Sequence, residues 1–323
     1  TGTLDAAIKN VGVGTLALSA LTSGDKNVAV GFCSLKLNTT GSNNTAVGCG
    51  SLRENTSGSC NVAIGENALM VNTTGFRNTA IGFNAMYDHT TGSCNTAVGH
   101  SAMQYMTSGS CNVAIGSASL FSVTTGTENV AVGKNALLFG NNVGIGAEAG
   151  AANTSGQIVA IGSGALQAHT TGGYNTAIGA ESQRRTTTGS DNISIGKNAL
   201  CSHTIGTENI AIGNYALDAQ VDGDQNVAIG HGALGKATND KNTAVGRTAL
   251  DNITSGIGNV AIGFSSGAEG TWQNFSTESN RAVFGHGAIT HSYVKVDWTV
   301  GSDVRDKTNF GTVPHGLDFV DQL

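Results

Sequence analysis

A short unit, Asn-x-Ala-Ile/Val-Gly, returns every 17 residues along most of this chain. Its Asn stands at Asn10, Asn27, Asn44, Asn61, Asn78, Asn95, Asn112 and Asn129 without drift. The phase then slips. Asn142 follows after 13 residues, and Ile158 takes the Asn place 16 residues later. The ladder resumes at Asn175, Asn192, Asn209, Asn226, Asn242 and Asn259, which makes sixteen copies. A fixed short period means one supersecondary unit stacked upon itself, each unable to bury its apolar face alone. The chain is therefore expected to be all-β, a stacked β-roll or β-solenoid with about 17 residues per coil. Its 323 residues would otherwise suit two or three globular domains.

Composition removes several alternatives. Hydrophobic residues are 39% and charged residues 12%, which is too apolar and too weakly charged for a disordered tail. The net charge of −6 and the scattered Lys and Arg argue against nucleic acid as a partner. No apolar run approaches the ~20 residues that span a bilayer, so membrane insertion is not expected.

Within one coil, numbered from Asn61 as position 0, +3 is always Val or Ile and +8 is usually Leu or Met, as in Leu35, Leu52, Leu69 and Met86. Both read as core. Strand neighbours point to opposite faces, so the Ala at +2 faces away from +3. An Ala at nearly every level fits a close interface between coils of neighbouring chains, or else a tight contact across the same coil. Gly at +4 and the Thr-Thr-Gly or Thr-Ser-Gly at +12 to +14 read as corners, where glycine takes positive φ without steric cost. The Asn column can form a ladder that satisfies corner backbone groups, or can mark a turn that tolerates left-handed geometry. At about 4.8 Å per rung, sixteen coils give a rod of roughly 75 Å.

The unit Asn-x-Ala-Ile-Gly-x-x-Ala resembles the head repeats of trimeric autotransporter adhesins of the YadA type, over roughly residues 10 to 270. That resemblance implies a left-handed roll and a homotrimer. The coils here are longer than in that family, and the Thr-Thr-Gly corner is the expected place of the extra residues. The repeat shaft is placed at 1–263, followed by a transition segment with short strands at 264–301. This segment contains the insertion Trp272-Gln273-Asn274-Phe275-Ser276, a variant unit at Arg281 to Gly285, and an alternating strand at Val294 to Val300.

The remainder, 302–323, changes the functional reading. Ser302, Asp303, Arg305, Lys307 and Asn309 resemble the opening of the self-cleaving intramolecular chaperone of phage tailspikes, tail fibres and endosialidases. Asp306 and Phe310 depart from that pattern. The resemblance implies a domain that trimerises, guides folding of the fibre and is released by cleavage next to Ser302. It makes Ser302 the nucleophile and Lys307 its base, a role a desolvated, neutral Lys can fill. Asp306 beside it favours the charged Lys.

Other candidates are weaker. No Cys-x-x-Cys occurs among the six Cys, so no zinc ribbon is expected. Cys94 and Cys111 fall on adjacent coils and read as free, stacked thiols, in keeping with assembly in a reducing cytoplasm. His89, His169 and His203 share position +11 and read as exposed corner residues. No cofactor, metal or turnover activity is expected. The leading expectation is a viral structural protein, a tail fibre or spike of the virion, attaching through exposed corners to a host cell-surface glycan or envelope polymer and contacting other tail proteins. The alternatives are a bacterial surface adhesin and a tailspike polysaccharide depolymerase. The depolymerase would need a carboxylate pair, and no Asp or Glu recurs in phase to supply one.

Overall fold

The computed structural model describes residues 9–136, 142–154, 156–268 and 275–286. All of them belong to one compact unit, Thr1–Gly287. It is an all-β, parallel solenoid. Seventeen short strands, β1 (Val11–Val13) to β17 (Ala282–Phe284), form a single sheet in which each pairs with the next in parallel. The register is strict: Ala29 lies beside Ala46, Ala46 beside Ala63, and Ala63 beside Ala80. The sheet runs one rung past the sixteen copies, because Val260 pairs with Ala282 across the insertion. Phe275 of that insertion is 8% exposed and joins the core.

The direction of the side chains is the reverse of the expectation for +3. Ala29, Ala46, Ala63, Ala80, Ala97 and Ala114 at +2 are fully buried. The +3 residues face outward, with Ile64 39%, Ile115 42% and Ile262 43% exposed. The cause is the thinness of the coil. A Cβ on Gly12, the +2 residue of the first coil, would lie 3.5 Å from Leu18 Cδ1 and 3.9 Å from Ala17 Cβ. Position +2 thus faces +7 and +8 of its own coil at van der Waals distance, where a methyl fits and an isoleucine does not. Contact across the same coil is what the Ala column records. Leu35, Leu52, Leu69, Met86 and Leu120 at +8 fill the core as expected.

Those core residues hold an unusual backbone, with φ +48° at Leu35 and +51° at Met86. A left-handed conformation costs a non-glycine residue about 1–2 kcal/mol. Burying a leucine side chain contributes about 1.5–3 kcal/mol, and the Leu35 N–H donates to Ser51 O at 3.0 Å in the next coil. The cost is therefore offset at +8. It is less well offset at +6, where Ala118 has φ +55° while Gly50, Gly164 and Gly232 occupy the same place. Ala118→Gly is expected to raise stability by about 0.5–1 kcal/mol in thermal melts.

The two corner glycines serve different needs. Gly31 at +4 has φ +139°, and a Cβ there would lie 2.5 Å from Gly48 O. Gly58 at +14 has no left-handed φ; a Cβ there would collide with Gly75 O and with Asn55 Oδ1. Space, not backbone freedom, selects the second glycine.

The Asn column is a ladder, and its members have no left-handed φ. Asn61 Nδ2 donates to Gly75 O at 2.8 Å, and Asn61 Oδ1 accepts the backbone N–H of Asn78 at 2.9 Å. This pair of bonds recurs along the rod and satisfies backbone groups that the corner would otherwise bury unpaired. At Ile158 the side-chain acceptor is missing. There β10 (Ile158–Ile161) and β11 (Asn175–Ile178) lengthen to four residues and pair Ile158 with Asn175 directly. A second ladder runs along the Thr corner: Thr56 Oγ1 donates to Thr73 O, and Thr73 Oγ1 to Thr90 O.

One layer of the core is polar. Ser182, Gln183 and Ser194 are fully buried and divide the apolar interior into two clusters, one ending at Ala177 and one beginning at Ala199. Gln183 Nε2 donates to Ser194 Oγ at 2.9 Å, and the Ser182 and Ser194 hydroxyls lie 2.5 Å apart. Gln183 Oε1 has no partner. The double change Gln183→Leu with Ser194→Ala restores the residues found in neighbouring coils and removes that orphan. It is expected to raise stability by about 1–3 kcal/mol, read as a higher melting temperature.

Candidate functional site

Three features of the described residues can carry function. The first is the outer face of the sheet. Across all seventeen rungs, position +3 is Val, Ile or, in the last, Phe284, and position +1 is Val, Ile, Thr or Ala. No charged residue interrupts either column. Phe32, Phe83 and Phe264 add exposed rings beside it at +5, and Phe83 stacks on His100 with centroids 5.4 Å apart. A face about 10 Å wide and roughly 75 Å long exposes on the order of 750 Å². Monomeric proteins rarely leave an apolar patch larger than a few hundred Å² uncovered.

The second is interior. His89, His169 and His203 are not exposed corner residues; all three are fully buried. Position +11 points into the coil, and Asn38, Asn55 and Asn72 occupy it in earlier rungs. His89 Nε2 lies 2.9 Å from Gly92 O, His169 Nδ1 lies 3.2 Å from Asn153 Oδ1, and His203 Nδ1 lies 3.2 Å from Thr186 Oγ1. Burial disfavours the imidazolium and pushes all three below the ordinary histidine value, His203 to about 4. They are structural, neutral groups, unsuited to holding a metal. Among the described residues, no group of three or more His, Cys, Asp or Glu could hold a metal ion.

The third is a cleft of about 420 Å³ at the phase slip, lined by Glu128, Gln157 and Tyr174 at position −1, Asn142, Ile158 and Asn175 at 0, and Val143, Val159 and Thr176 at +1. It falls where coils of 13 and 16 residues interrupt the 17-residue period. Sequence reasoning noted the slip but not the cleft, for which the irregular spacing and Ile158 are the available signal.

Ser302 and Lys307 lie outside the described residues, as do Val294 to Val300 and residues 137–141. All six cysteines are free, and Cys94 and Cys111 are exposed. One carboxylate pair in phase was missed by sequence reading. Asp218 and Asp251 share position +9, two coils apart, and a Cβ on the intervening Gly235 would lie 3.7 and 2.6 Å from their Oδ1 atoms. Burial first, and the Asp251 charge in smaller part, push the Asp218 carboxyl above its usual range. No helix among the described residues is long and apolar enough to cross a membrane. Compared with protein-family models, with curated proteins and with solved structures, the chain matches none.

Proposed function

We propose that the chain is the shaft of a homotrimeric fibre, joined through the outer face of its sheet, and that it belongs to a viral tail fibre or spike that attaches to a host surface. The observation that carries this reading is the uncharged pair of columns at +1 and +3, apolar at every rung at +3 and Val, Ile, Ala or Thr at +1. Their area of about 750 Å² matches the ~800 Å² that each partner contributes to a stable interface. Their in-register spacing gives every rung the same contact, as a symmetric assembly needs. The threefold order and the viral setting rest on the resemblances of the repeat and of the segment opening at Ser302. The expected interface is thus the +1/+3 face, not the Ala column at +2.

Ile81→Asp combined with Ile115→Asp tests this reading. Both residues are exposed in the single chain, so its β circular-dichroism spectrum is expected to persist while the assembly dissociates. An assembly of unchanged mass would contradict it. The chaperone part is tested separately by mass spectrometry of protein carrying its natural C-terminal continuation. A fragment released at Ser302, and absent in Ser302→Ala, is the expected result.

A further inference from the structure

We propose that Cys94 and Cys111 together form a two-thiolate site for copper(I) at one corner of the rod. The two residues share position −1 in neighbouring coils, and the strands that follow them pair Thr96 with Val113. Their backbones are alike, with φ +61° at Cys94 and +60° at Cys111. The Cys94 N–H donates to Phe76 O at 3.1 Å and the Cys111 N–H to Ser93 O at 3.0 Å, so each is fixed in the same way to the coil before it. Both thiols are free and exposed.

The site lies outside the face proposed above to be covered by other copies. The strands begin at +1, and −1 stands in the bend before them. Its left-handed backbone breaks the alternation that aligns +1 with +3. The +1 and +3 columns carry no charge, whereas the −1 column carries the exposed side chains of Lys26, Arg77, Glu128, Asp191 and Glu208. Charges of both signs without recurrent partners belong in water, not in an apolar interface.

The spacing selects the ligand. Equal backbones set the two Cα–Cβ bonds parallel, so Cβ and, in a shared rotamer, sulfur repeat at the rung spacing of about 4.8 Å. A disulfide needs the Cβ atoms at about 3.5–4.5 Å, and the hydrogen bonds of both rungs oppose that approach. A zinc–thiolate bond is about 2.3 Å long, so two metal–sulfur bonds of that kind end to end span about 4.6 Å. A linear S–Cu–S unit therefore fits between the thiolates with the rungs where they stand. Copper(I) is soft, prefers thiolate and accepts two ligands in line. Zinc closes a structural site with four ligands and finds two. Calcium and magnesium take oxygen ligands. Each thiol gives one proton to water as its sulfur binds. The metal stays copper(I), no electron is transferred, and the product is a dithiolate–copper anion. Cys60 holds the same position, but its neighbours in the column are Asn43 and Arg77, so it offers a single thiol.

The test titrates copper(I) without oxygen into the reduced full chain, in competition with the coloured chelator bathocuproine disulfonate. One tightly held copper(I) per chain is expected, with the X-ray absorption edge of two-coordinate copper. Cys94→Ser and Cys111→Ser should each weaken binding about a hundredfold or more. Cys60→Ser should leave it unchanged. All three positions are exposed, so the circular-dichroism spectra of the variants should match that of the parent. The proposal is overturned by a chain that holds no copper, by binding that survives Cys94→Ser combined with Cys111→Ser, or by an equal loss in Cys60→Ser. A Cys94–Cys111 disulfide formed in air, seen by mass spectrometry as the loss of two hydrogens, would overturn the spacing on which it rests. Both ligands come from one chain, so the outcome is independent of whether the shaft assembles.

Discussion

Asn95→Leu is expected to lower the melting temperature by on the order of 10 °C, although the two side chains are nearly equal in size. Asn95 is fully buried. Its Nδ2 donates to Gly109 O at 2.8 Å, and its Oδ1 accepts the backbone N–H of Asn112 at 3.0 Å. Leucine leaves both backbone groups buried and unpaired, and each orphan costs about 1–3 kcal/mol. A total near 4 kcal/mol is therefore expected. Ile158 shows how the fold avoids that cost where an apolar residue stands at position 0. There the strands lengthen to pair Ile158 with Asn175. Strands β6 (Thr96–Val98) and β7 (Val113–Ile115), beside Asn95, do not extend so far. A change below about 2 °C in differential scanning calorimetry would mean that the ladder is incidental to stability.

The second large effect is acid lability centred on the buried histidines. A histidine whose folded pKa is depressed takes up its proton first in the unfolded state as pH falls. Its contribution is therefore complete above the ordinary value of 6.5 and is lost as pH falls from there toward the folded value, about 4 at His203. For His203 the loss across that window is about 3 kcal/mol. His89 and His169 add to it in the same direction. Asp224 and Asp222 lie near enough to favour the charged His203, but burial outweighs them. Melting temperature is expected to be flat above pH 7 and to fall steadily between about pH 6.5 and 4. His89→Asn is expected to remove part of this fall. It is also expected to stabilise the neutral-pH protein by about 1 kcal/mol, because Asn72 Oδ1 is buried without a partner. In the coils below, Asn72 Nδ2 donates to Asn55 Oδ1 at 2.8 Å and Asn55 Nδ2 to Asn38 Oδ1 at 2.7 Å. An asparagine at 89 extends that ladder by one rung.

Much of the fold is legible from the repeat, because a fixed period leaves stacking as the way to bury the apolar positions. The solenoid, the parallel register and the Leu core at +8 all follow from spacing. The direction of the strand does not. Alternation says that +2 and +3 face opposite ways, and reading the larger residue as internal is the ordinary inference. It fails here because the coil is two walls thick. Leu18 and Ala17 already fill the space opposite Gly12, so the wall facing them carries a methyl or less. The same thinness hides the histidines. Their neighbours in sequence are corner Thr and Gly, yet position +11 turns inward, a fact that Asn38, Asn55 and Asn72 signal only once the corner carbonyls they bond are known. The left-handed Leu and Met residues leave no trace in composition, since glycine, the usual marker, stands elsewhere in the coil. Of the candidate sites, the apolar face is readable as two columns once their direction is known. The cleft is not, because it depends on how the two irregular coils, of 13 and 16 residues, stack.

The central claim is that the +1/+3 face is covered by other copies of the chain. Sedimentation equilibrium of the intact protein tests it most directly. The chain has a mass of 32.5 kDa, so three copies give 3 × 32.5 = 97.5 kDa. A single species of that mass, dissociated by Ile81→Asp with Ile115→Asp, is the predicted result. A stable, soluble species of 32.5 kDa across the concentration range would show that the apolar face is left open to water, and would contradict the account.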